Sequence, residues 1–181
     1  FMREVAYKII RPDRDQEEIQ RSFIAEAVVT GQLSHPNIVP AYAFGWSPAK
    51  QLFLAMKLVL GQSWKVLMHE TRPQDLEFHL DVLLQVCNAV AYAHSKEIIH
   101  NDLKPANVMV GNFGEVLVMD WGLAVDAGAA AAESGFRAMI RHKDSVNQPC
   151  GSPCYVPPEL ALGRGKAIGP WTDIFLLGGI L

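Results

Sequence analysis

Cysteine is scarce in this chain, which has three cysteines among 181 residues. An odd number of cysteines in a chain of this length argues against a framework of disulfide bonds and favours a reducing compartment such as the cytoplasm. Cys150 and Cys154 lie four residues apart, but a zinc site would need two further ligands, and no other cysteine or histidine stands at a fitting spacing. The sequence therefore predicts free thiols.

Long apolar runs and blocks of positive charge are also missing. Hydrophobic residues make up 50% of the chain, yet no run approaches the about 18 apolar residues that a membrane span needs. Lysine and arginine number 16 against 19 aspartate and glutamate residues, so the net charge is −3. A chain without a basic cluster offers no electrostatic footprint for nucleic acid. We therefore expect no membrane segment within this chain and no nucleic-acid partner.

The spacing of apolar residues changes along the chain. Runs of β-branched residues bounded by turn formers predict strands, and apolar residues three or four positions apart predict helices. The expected elements are a strand over residues 5–10 closed by Pro12 and Asp13, a helix over 16–33, strands over 38–44 and 52–60 around a turn at 45–48, a helix over 76–96, and a hairpin of 107–110 with 116–119. Strands with one helix come first and mostly helix follows, which predicts an α+β fold.

Two further features complete the pattern. The long helix is expected to bury one face, formed by Leu76, Leu80, Leu83, Cys87, Val90 and His94. Gly61–Ser63 breaks the pattern at the seam between the two parts of the chain, and residues 123–157 are expected to form a long loop. A loop of this length inside a compact domain is usually functional or disordered.

One stretch concentrates residues that carry chemistry. Between His100 and Asn107 the sequence places Asp102, Lys104 and Asn107 within six residues, and Asp120 follows 13 residues later. Singly, each has an ordinary explanation, since Asp102 could cap a turn or a helix, Asn107 could form a turn and Asp120 could end a strand. Together they offer hard oxygen ligands for Mg²⁺ beside a compact positive charge. This combination predicts a site that holds metal-bound phosphate next to a hydroxyl nucleophile.

The stretch resembles the catalytic loop of protein kinases, and Asp120-Trp121-Gly122 resembles their metal-binding Asp-Phe-Gly segment. The resemblance implies a two-lobe α+β fold truncated at both ends. Residues 1–60 would form a partial small lobe, beginning at the family's third strand without the Gly-rich phosphate loop. Residues 61–181 would form a partial, mainly helical large lobe ending at the start of helix F. We therefore expect a piece of a longer protein whose exposed edges could promote association.

The resemblance also implies a role for each residue of the catalytic stretch. Asp102 would be the catalytic base that orients the substrate hydroxyl, and Lys104 would neutralise charge on the γ-phosphate. Asn107 and Asp120 would hold Mg²⁺. A lysine two residues after the catalytic aspartate is typical of Ser/Thr kinases.

Four residues in the first third of the chain are implied to bind ATP. Lys8 and Glu26 resemble the ion pair that places a lysine on the α- and β-phosphates. Backbone groups of Lys57 and Val59 would bind adenine. Outside this context, Lys8 would be an ordinary strand-edge lysine and Glu26 an ordinary surface residue.

Other landmarks agree with the resemblance, and some depart from it. Residues 151–153 and 157–159 resemble the substrate-docking loop and its Ala-Pro-Glu motif, and Asp173 resembles the helix F residue that braces the catalytic loop. Trp121 replaces the usual phenylalanine. Asn101 stands where most of these kinases have an arginine that pairs with a phosphate on the activation segment.

The resemblance therefore implies a Ser/Thr protein kinase that transfers the γ-phosphate of Mg·ATP to a protein hydroxyl. The piece itself, lacking a Gly-rich loop, is expected to have little activity. A pseudokinase or ATP-binding scaffold is the alternative. It is disfavoured because five residues that carry the chemistry are all present, namely Lys8, Glu26, Asp102, Asn107 and Asp120. A small-molecule phosphotransferase would share the Asp102, Asn107 and Asp120 arrangement, but the segment at 157–159 favours a protein substrate.

Overall fold

The computed structural model describes residues 3–10, 17–70 and 75–181. The strands are β1 (Val5–Ile9), β2 (Ala41–Trp46), β3 (Leu52–Lys57), β4 (Gly61–Ser63), β5 (Ile98–Ile99), β6 (Val108–Gly111), β7 (Val116–Val118) and β8 (Val125–Asp126). The α-helices are α1 (Glu17–Gln32), α2 (Trp64–Glu70), α3 (Leu76–Ser95), α4 (Pro158–Ala161) and α5 (Pro170–Gly178). Short 3₁₀ helices span Pro105–Asn107, Phe136–Met139, Lys143–Ser145 and Gly165–Ala167. Pro12, Asp13 and Gln16, which were expected to bound the first strand and helix, lie outside the described residues.

The first sheet brings Lys8 next to α1. It is antiparallel, in the order β1-β3-β2, with Lys8 opposite Leu54. Side chains along a strand alternate between its two faces. In β1 Lys8 is half-buried while Tyr7 is exposed. Phe23 and Ala27 of α1 pack into the same apolar cluster as Leu54, so the predicted helix forms and packs on this sheet.

The turn between β2 and β3 lies later in the chain than the sequence predicts. Gly45 and Trp46 continue β2, opposite Phe53 and Leu52 of β3. The chain reverses after them, where the Lys50 amide donates to the Ser47 carbonyl at 2.9 Å. The two expected strands are therefore confirmed. The predicted turn at 45–48 is wrong for Gly45 and Trp46, because pairing with β3 keeps both residues in an extended strand.

Helix α3 confirms the expected element and part of its expected face. Leu83, Cys87 and Val90 pack on the main core as expected, whereas Leu76 is 62% exposed and Leu80 is 46% exposed. The buried residues are Val82, Val86, Ala89, Val90 and Ala93. The helix is apolar on much of its circumference, so spacing alone permits more than one stripe. The stripe of valine and alanine is the one that faces the core, and its short side chains allow the helix to pack close to Val118 of β7 in the main apolar cluster.

The predicted hairpin forms, and the residues expected to interrupt the pattern join it as a third strand. β6 and β7 are antiparallel, with Val108 opposite Val118. β4 pairs with β6, so that Gly61 lies opposite Gly111. A Cβ atom at Gly61 would lie 2.0 Å from the Val110 carbonyl oxygen. The glycine therefore allows a close strand approach, and the prediction that it breaks the pattern is wrong.

The region 123–157 contains short elements rather than one continuous loop. β8 pairs with β5, and 3₁₀ helices form at Phe136–Met139 and Lys143–Ser145. The alanine-rich run 127–132 forms no helical turn. Short pairings between distant segments leave no periodic signal, which explains why the sequence suggested only a loop.

The main core joins both halves of the chain. It contains Val29 of α1, Leu33 directly after α1, Val86 of α3 and Val118 of β7, so α1 contacts both the first sheet and the larger helical part. The division at residues 60 and 61 remains a prediction. Among the described residues, no helix is both long and apolar enough to cross a membrane.

Candidate active site

A buried aspartate holds the start of the loop from His100 to Asn107. Asp173, in the first turn of α5, is fully buried. Its carboxylate accepts from the backbone amides of His100 and Asn101, each at 2.9 Å, and lies 2.8 Å from Nε2 of His94. Charge-assisted bonds of this kind are about twice as strong as neutral ones. The expected bracing of the catalytic loop by Asp173 is confirmed.

His100 sets the direction of the loop from within the core. Its ring is completely buried, and its Nδ1 accepts from the Asp102 backbone amide at 3.2 Å. Its Nε2 lies 3.2 Å from the Met119 carbonyl oxygen, and its ring centroid is 4.5 Å from that of Trp121. Trp121 is also completely buried. The histidine therefore couples the loop that carries Asp102 to the segment that carries Asp120.

The Asp102 carboxylate is held by three donors. Lys104 Nζ lies 2.6 Å from Oδ2, and Asn107 Nδ2 donates to the same oxygen at 3.2 Å and to the Asp102 carbonyl at 2.9 Å. Ser152 Oγ donates to Oδ1 at 2.8 Å and accepts from Lys104 Nζ at 2.6 Å. The carboxylate is thus fixed in direction, and one of its oxygens already accepts from a serine hydroxyl.

An ion pair links the first sheet, α1 and the segment after β7. Lys8 Nζ lies 2.7 Å from both carboxylate oxygens of Glu26 and 3.6 Å from Oδ1 of Asp120. The Glu26 side chain is 6% exposed, whereas those of Lys8 and Asp120 are 42% and 50% exposed. The lysine is therefore anchored on its buried side and open on the side that Asp120 shares.

The two partners of this pair respond differently to burial. Loss of hydration opposes the charge on Lys8, but the negative charges of Glu26 and Asp120 outweigh it and raise the pKa of Lys8. Loss of hydration dominates for Glu26 and raises its pKa in spite of Lys8. Lys8 keeps contact with water, and the negative charges beside it stabilise its charged form. The enclosed Glu26 carboxylate, in contrast, loses most of its hydration.

Asn107 and Asp120 offer oxygen ligands at the edge of the same site. The Asn107 side chain is buried, and its amide nitrogen is used by Asp102, which leaves the amide oxygen as its metal-ligating atom. Asp120 has a backbone φ of 61°, a left-handed conformation that aspartate tolerates better than most residues. Within the described ranges, no group of three or more His, Cys, Asp or Glu residues could hold a metal. A site with one carboxylate and one amide therefore fits Mg²⁺ bound jointly with phosphate oxygens.

A protein-family comparison identifies this arrangement. The model of the protein kinase domain matches residues 2–181. The chain belongs to the protein kinase domain family. The small antiparallel sheet with α1 and the larger helical part accord with the α+β fold of that family.

Curated proteins that resemble this kinase domain include three kinases of one name. The Serine/threonine-protein kinase PknD of Protochlamydia amoebophila is 36% identical over 200 aligned positions, which cover 100% of this chain and 20% of the relative. The proteins of the same name from Chlamydia muridarum and Chlamydia caviae are 34% and 31% identical, each over 99% of this chain and 21% of the relative. The kinase domain thus spans about a fifth of the length of these relatives.

The segment after β3 contains the two residues expected to bind adenine. The Lys57 backbone amide donates to the Pro40 carbonyl at 3.0 Å, so of its two backbone groups only the carbonyl could meet the adenine amino group. The Lys57 side chain forms an ion pair with Glu115. Val59 is half-buried beside it. The expected roles of Lys57 and Val59 remain predictions.

The sequence did not reveal two polar residues that contact the site. Ser152, expected only in a docking loop, bonds to Asp102 and Lys104. Ser22 of α1 donates to the Gly122 carbonyl at 2.6 Å. A signal for Ser22 exists, since it lies four residues before Glu26 and therefore on the same helix face. No comparable signal points to Ser152, which is 50 residues from Asp102.

A separate cavity lies beside the site. Its volume is about 1030 Å³, and it lies between α1 and the segment around residues 138–146. Asn101, Gly122 and Leu123 line it, but Lys8, Asp102, Asn107 and Asp120 do not. The cavity is therefore distinct from the candidate nucleotide site.

Proposed function

We propose that this kinase domain transfers the γ-phosphate of ATP to serine or threonine hydroxyls of a protein substrate. The observation that carries the proposal is the meeting of Lys8, Glu26 and Asp120, which come from a strand, a helix and a distant turn. An ion pair that joins three elements at a half-open site gives a lysine a fixed position for phosphate. The names of the chlamydial relatives support the choice of serine and threonine.

In this proposal Asp102 receives the substrate hydroxyl. The Ser152 hydroxyl lies 2.8 Å from Asp102 Oδ1, which is the distance range that a general base needs. Lys104 donates to the other carboxylate oxygen, Oδ2, and offers a positive charge for the transferred phosphoryl group. Positioning and charge stabilisation account for most of the catalysis in phosphoryl transfer.

Lys8 binds and orients the phosphates of ATP, with Glu26 holding its ammonium group in place. Asn107 and Asp120 would hold Mg²⁺, which when bound neutralises charge on the phosphate oxygens. Backbone groups of Lys57 and Val59 orient the adenine. Because Cys87, Cys150 and Cys154 are free thiols, we place this activity in a reducing compartment, the cytoplasm.

Replacing Asp102 with asparagine tests the proposal. In the full-length protein, Asp102→Asn should lower phosphate transfer to a protein substrate by about 10²–10⁴-fold, because an amide cannot accept the hydroxyl proton. Binding of a fluorescent ATP analogue should change little, since Lys8 and Asp120 are untouched. Steady-state kinetics and nucleotide titration measure the two effects. Asp81→Asn, at an exposed position on α3, is the matched control. Equal activities of wild type and Asp102→Asn would contradict the assignment.

A further inference from the structure

The four residues from Trp121 to Ala124 form a tight turn directly after Asp120. The Ala124 amide donates to the Trp121 carbonyl at 3.0 Å, so Gly122 and Leu123 are the central residues of the turn. Asp120 itself has a left-handed φ of 61°. The direction of the Asp120 carboxylate therefore depends on how the turn that follows it is held.

Both central carbonyls of this turn accept from a side chain of another element. Ser22 Oγ donates to the Gly122 carbonyl at 2.6 Å, and Asn101 Nδ2 donates to the Leu123 carbonyl at 3.1 Å. Ser22 belongs to α1 and is half-buried, whereas Asn101 belongs to the catalytic loop and is 1% exposed. Helix α1 and the catalytic loop thus each hold one of two successive peptide groups by a hydrogen bond. We call these two hydrogen bonds, from Ser22 and from Asn101, the grip.

The grip by α1 is coupled to the Lys8 ion pair. Ser22 and Glu26 are one helical turn apart and lie on the same face. A Cβ atom at Gly122 would lie 3.4 Å from Ser22 Oγ, 3.4 Å from Asp120 Oδ1 and 3.6 Å from Glu26 Oε2. The serine, the ion-pair glutamate and the metal-ligand candidate therefore surround one peptide, that of Gly122.

The grip by the catalytic loop is rigid for a different reason. Asn101 has a φ of 66°, which asparagine adopts more readily than most residues. Its backbone amide is fixed by Asp173 and its side-chain amide by Leu123. Its Oδ1 atom is buried and meets no hydrogen-bond partner among the described residues. The side chain therefore serves this single backbone contact.

We propose that Ser22 and Asn101 are positioning residues that hold the turn after Asp120 through its two central carbonyls and so direct the Asp120 carboxylate towards the metal-bound phosphates. This inference rests on the proposed function and extends it to two residues that touch neither substrate. Both donors are uncharged, so the grip needs no phosphate on the protein and is little affected by salt.

Ser22→Ala tests the inference. It should raise the KM for Mg·ATP and the Mg²⁺ concentration for half-maximal rate by about three- to tenfold, the effect of one lost hydrogen bond. The KM for the protein substrate should not change. Ser22→Thr, which keeps the hydroxyl, should restore both values. Ser95→Ala is the matched control, because Ser95 Oγ also donates to a backbone carbonyl, that of Tyr92, at 2.7 Å.

Asn101→Gly tests the other half of the grip. Glycine tolerates the left-handed conformation without strain but removes the side-chain donor. Because Ser22 and Asn101 hold one turn, the effects of Ser22→Ala and Asn101→Gly on the KM for Mg·ATP should be non-additive in the double variant. Strict additivity would overturn the idea of a shared grip.

Amide hydrogen exchange keeps the test independent of activity. In Ser22→Ala the Ala124 amide should exchange about three- to tenfold faster than in wild type, and Ser22→Thr should return it to the wild-type rate. An unchanged Ala124 rate would overturn the inference, as would acceleration spread evenly over α1 that threonine does not reverse. A full-length wild-type protein that transfers no phosphate would refute the proposed function, and the exchange rates would still decide the role of Ser22.

Discussion

At the scale of single residues, the site depends on side chains that are held before any substrate arrives. Asp102 accepts from Lys104, Asn107 and Ser152, and Lys8 is held by Glu26. Each contact fixes a charged group in one direction, which lowers the reorganisation needed during reaction. Glu26 is the residue of this set whose charge is opposed by burial, because its carboxylate is almost enclosed and burial raises its pKa.

The raised pKa of Glu26 predicts a pH-dependent cost in stability. A carboxyl whose folded pKa is raised stabilises the fold fully below its unfolded pKa, about 4.3, and that contribution is lost as the pH rises through the folded pKa. Glu26→Gln removes the titration. The free energy of unfolding of Glu26→Gln minus that of wild type should therefore increase as the pH rises through this window and stay level above it.

Urea unfolding at a series of pH values measures this difference. Glu17→Gln is the matched control on the same helix, since the Glu17 side chain is 80% exposed. A Glu26→Gln difference that falls with rising pH would mean that Lys8 outweighs burial. The same variant should lose activity, because Lys8 would then have only Asp120 as an acidic partner.

At the scale of elements, Arg137 anchors the segment between β8 and α4. It lies in the 3₁₀ helix Phe136–Met139, and its guanidinium bonds to Asp126 at 2.7 Å, to Glu97 at 2.9 Å and to the Lys96 carbonyl at 3.1 Å. Asp126 is 2% exposed, so its charge needs this partner. The catalytic loop carries the neutral Asn101 in place of an arginine that could bind a phosphate. The segment is therefore ordered by an internal ion pair.

This arrangement predicts activity that depends on Arg137 and not on phosphorylation of the segment. Arg137→Leu should destabilise the segment by about 1–3 kcal/mol, because it leaves the buried Asp126 carboxylate without its cation. Limited proteolysis between residues 127 and 147 should then become faster, and kinase activity should fall. Phosphatase treatment of wild type should leave activity nearly unchanged.

Arg164→Leu, at an exposed arginine outside the segment, is the control for loss of charge. If phosphatase treatment lowered wild-type activity tenfold or more, equivalent to about 1.4 kcal/mol of barrier, a phosphate would be the anchor and the role given to Arg137 would be wrong.

At the scale of the molecule, the sequence predicted what short spacings determine. Asp102, Lys104 and Asn107 lie within six residues, and the loop brings their side chains into contact. The long-range contacts escaped prediction. Ser152 is 50 residues from Asp102, and Ser22 is 100 residues from Gly122. Single polar residues carry no periodicity, so only the fold reveals which of them meet.

The fold itself was predictable to a similar extent. The hairpin and the long helix α3 left clear periodic signals, and both form. The face of α3 could be predicted only in part. Leu83, Cys87 and Val90 pack on the core as expected, whereas Leu76 and Leu80 are exposed. Apolar residues cover much of the helix surface, so packing decides which stripe is fully buried. The pairing of Gly61 with β6 escaped notice since a strand of three residues has too few positions for a pattern.

The most direct test of the central claim compares transfer of radioactive phosphate from ATP labelled at the γ-phosphate and from ATP labelled at the α-phosphate. With Mg²⁺ and a protein substrate, label from the γ-phosphate should appear in acid-stable phosphoserine or phosphothreonine, and label from the α-phosphate should not. Lys8→Met should abolish the γ-transfer, because it removes the charge that Glu26 and Asp120 hold in place. A full-length wild-type protein that transfers no γ-label, or a full-length Lys8→Met variant that transfers it at the wild-type rate, would contradict the account.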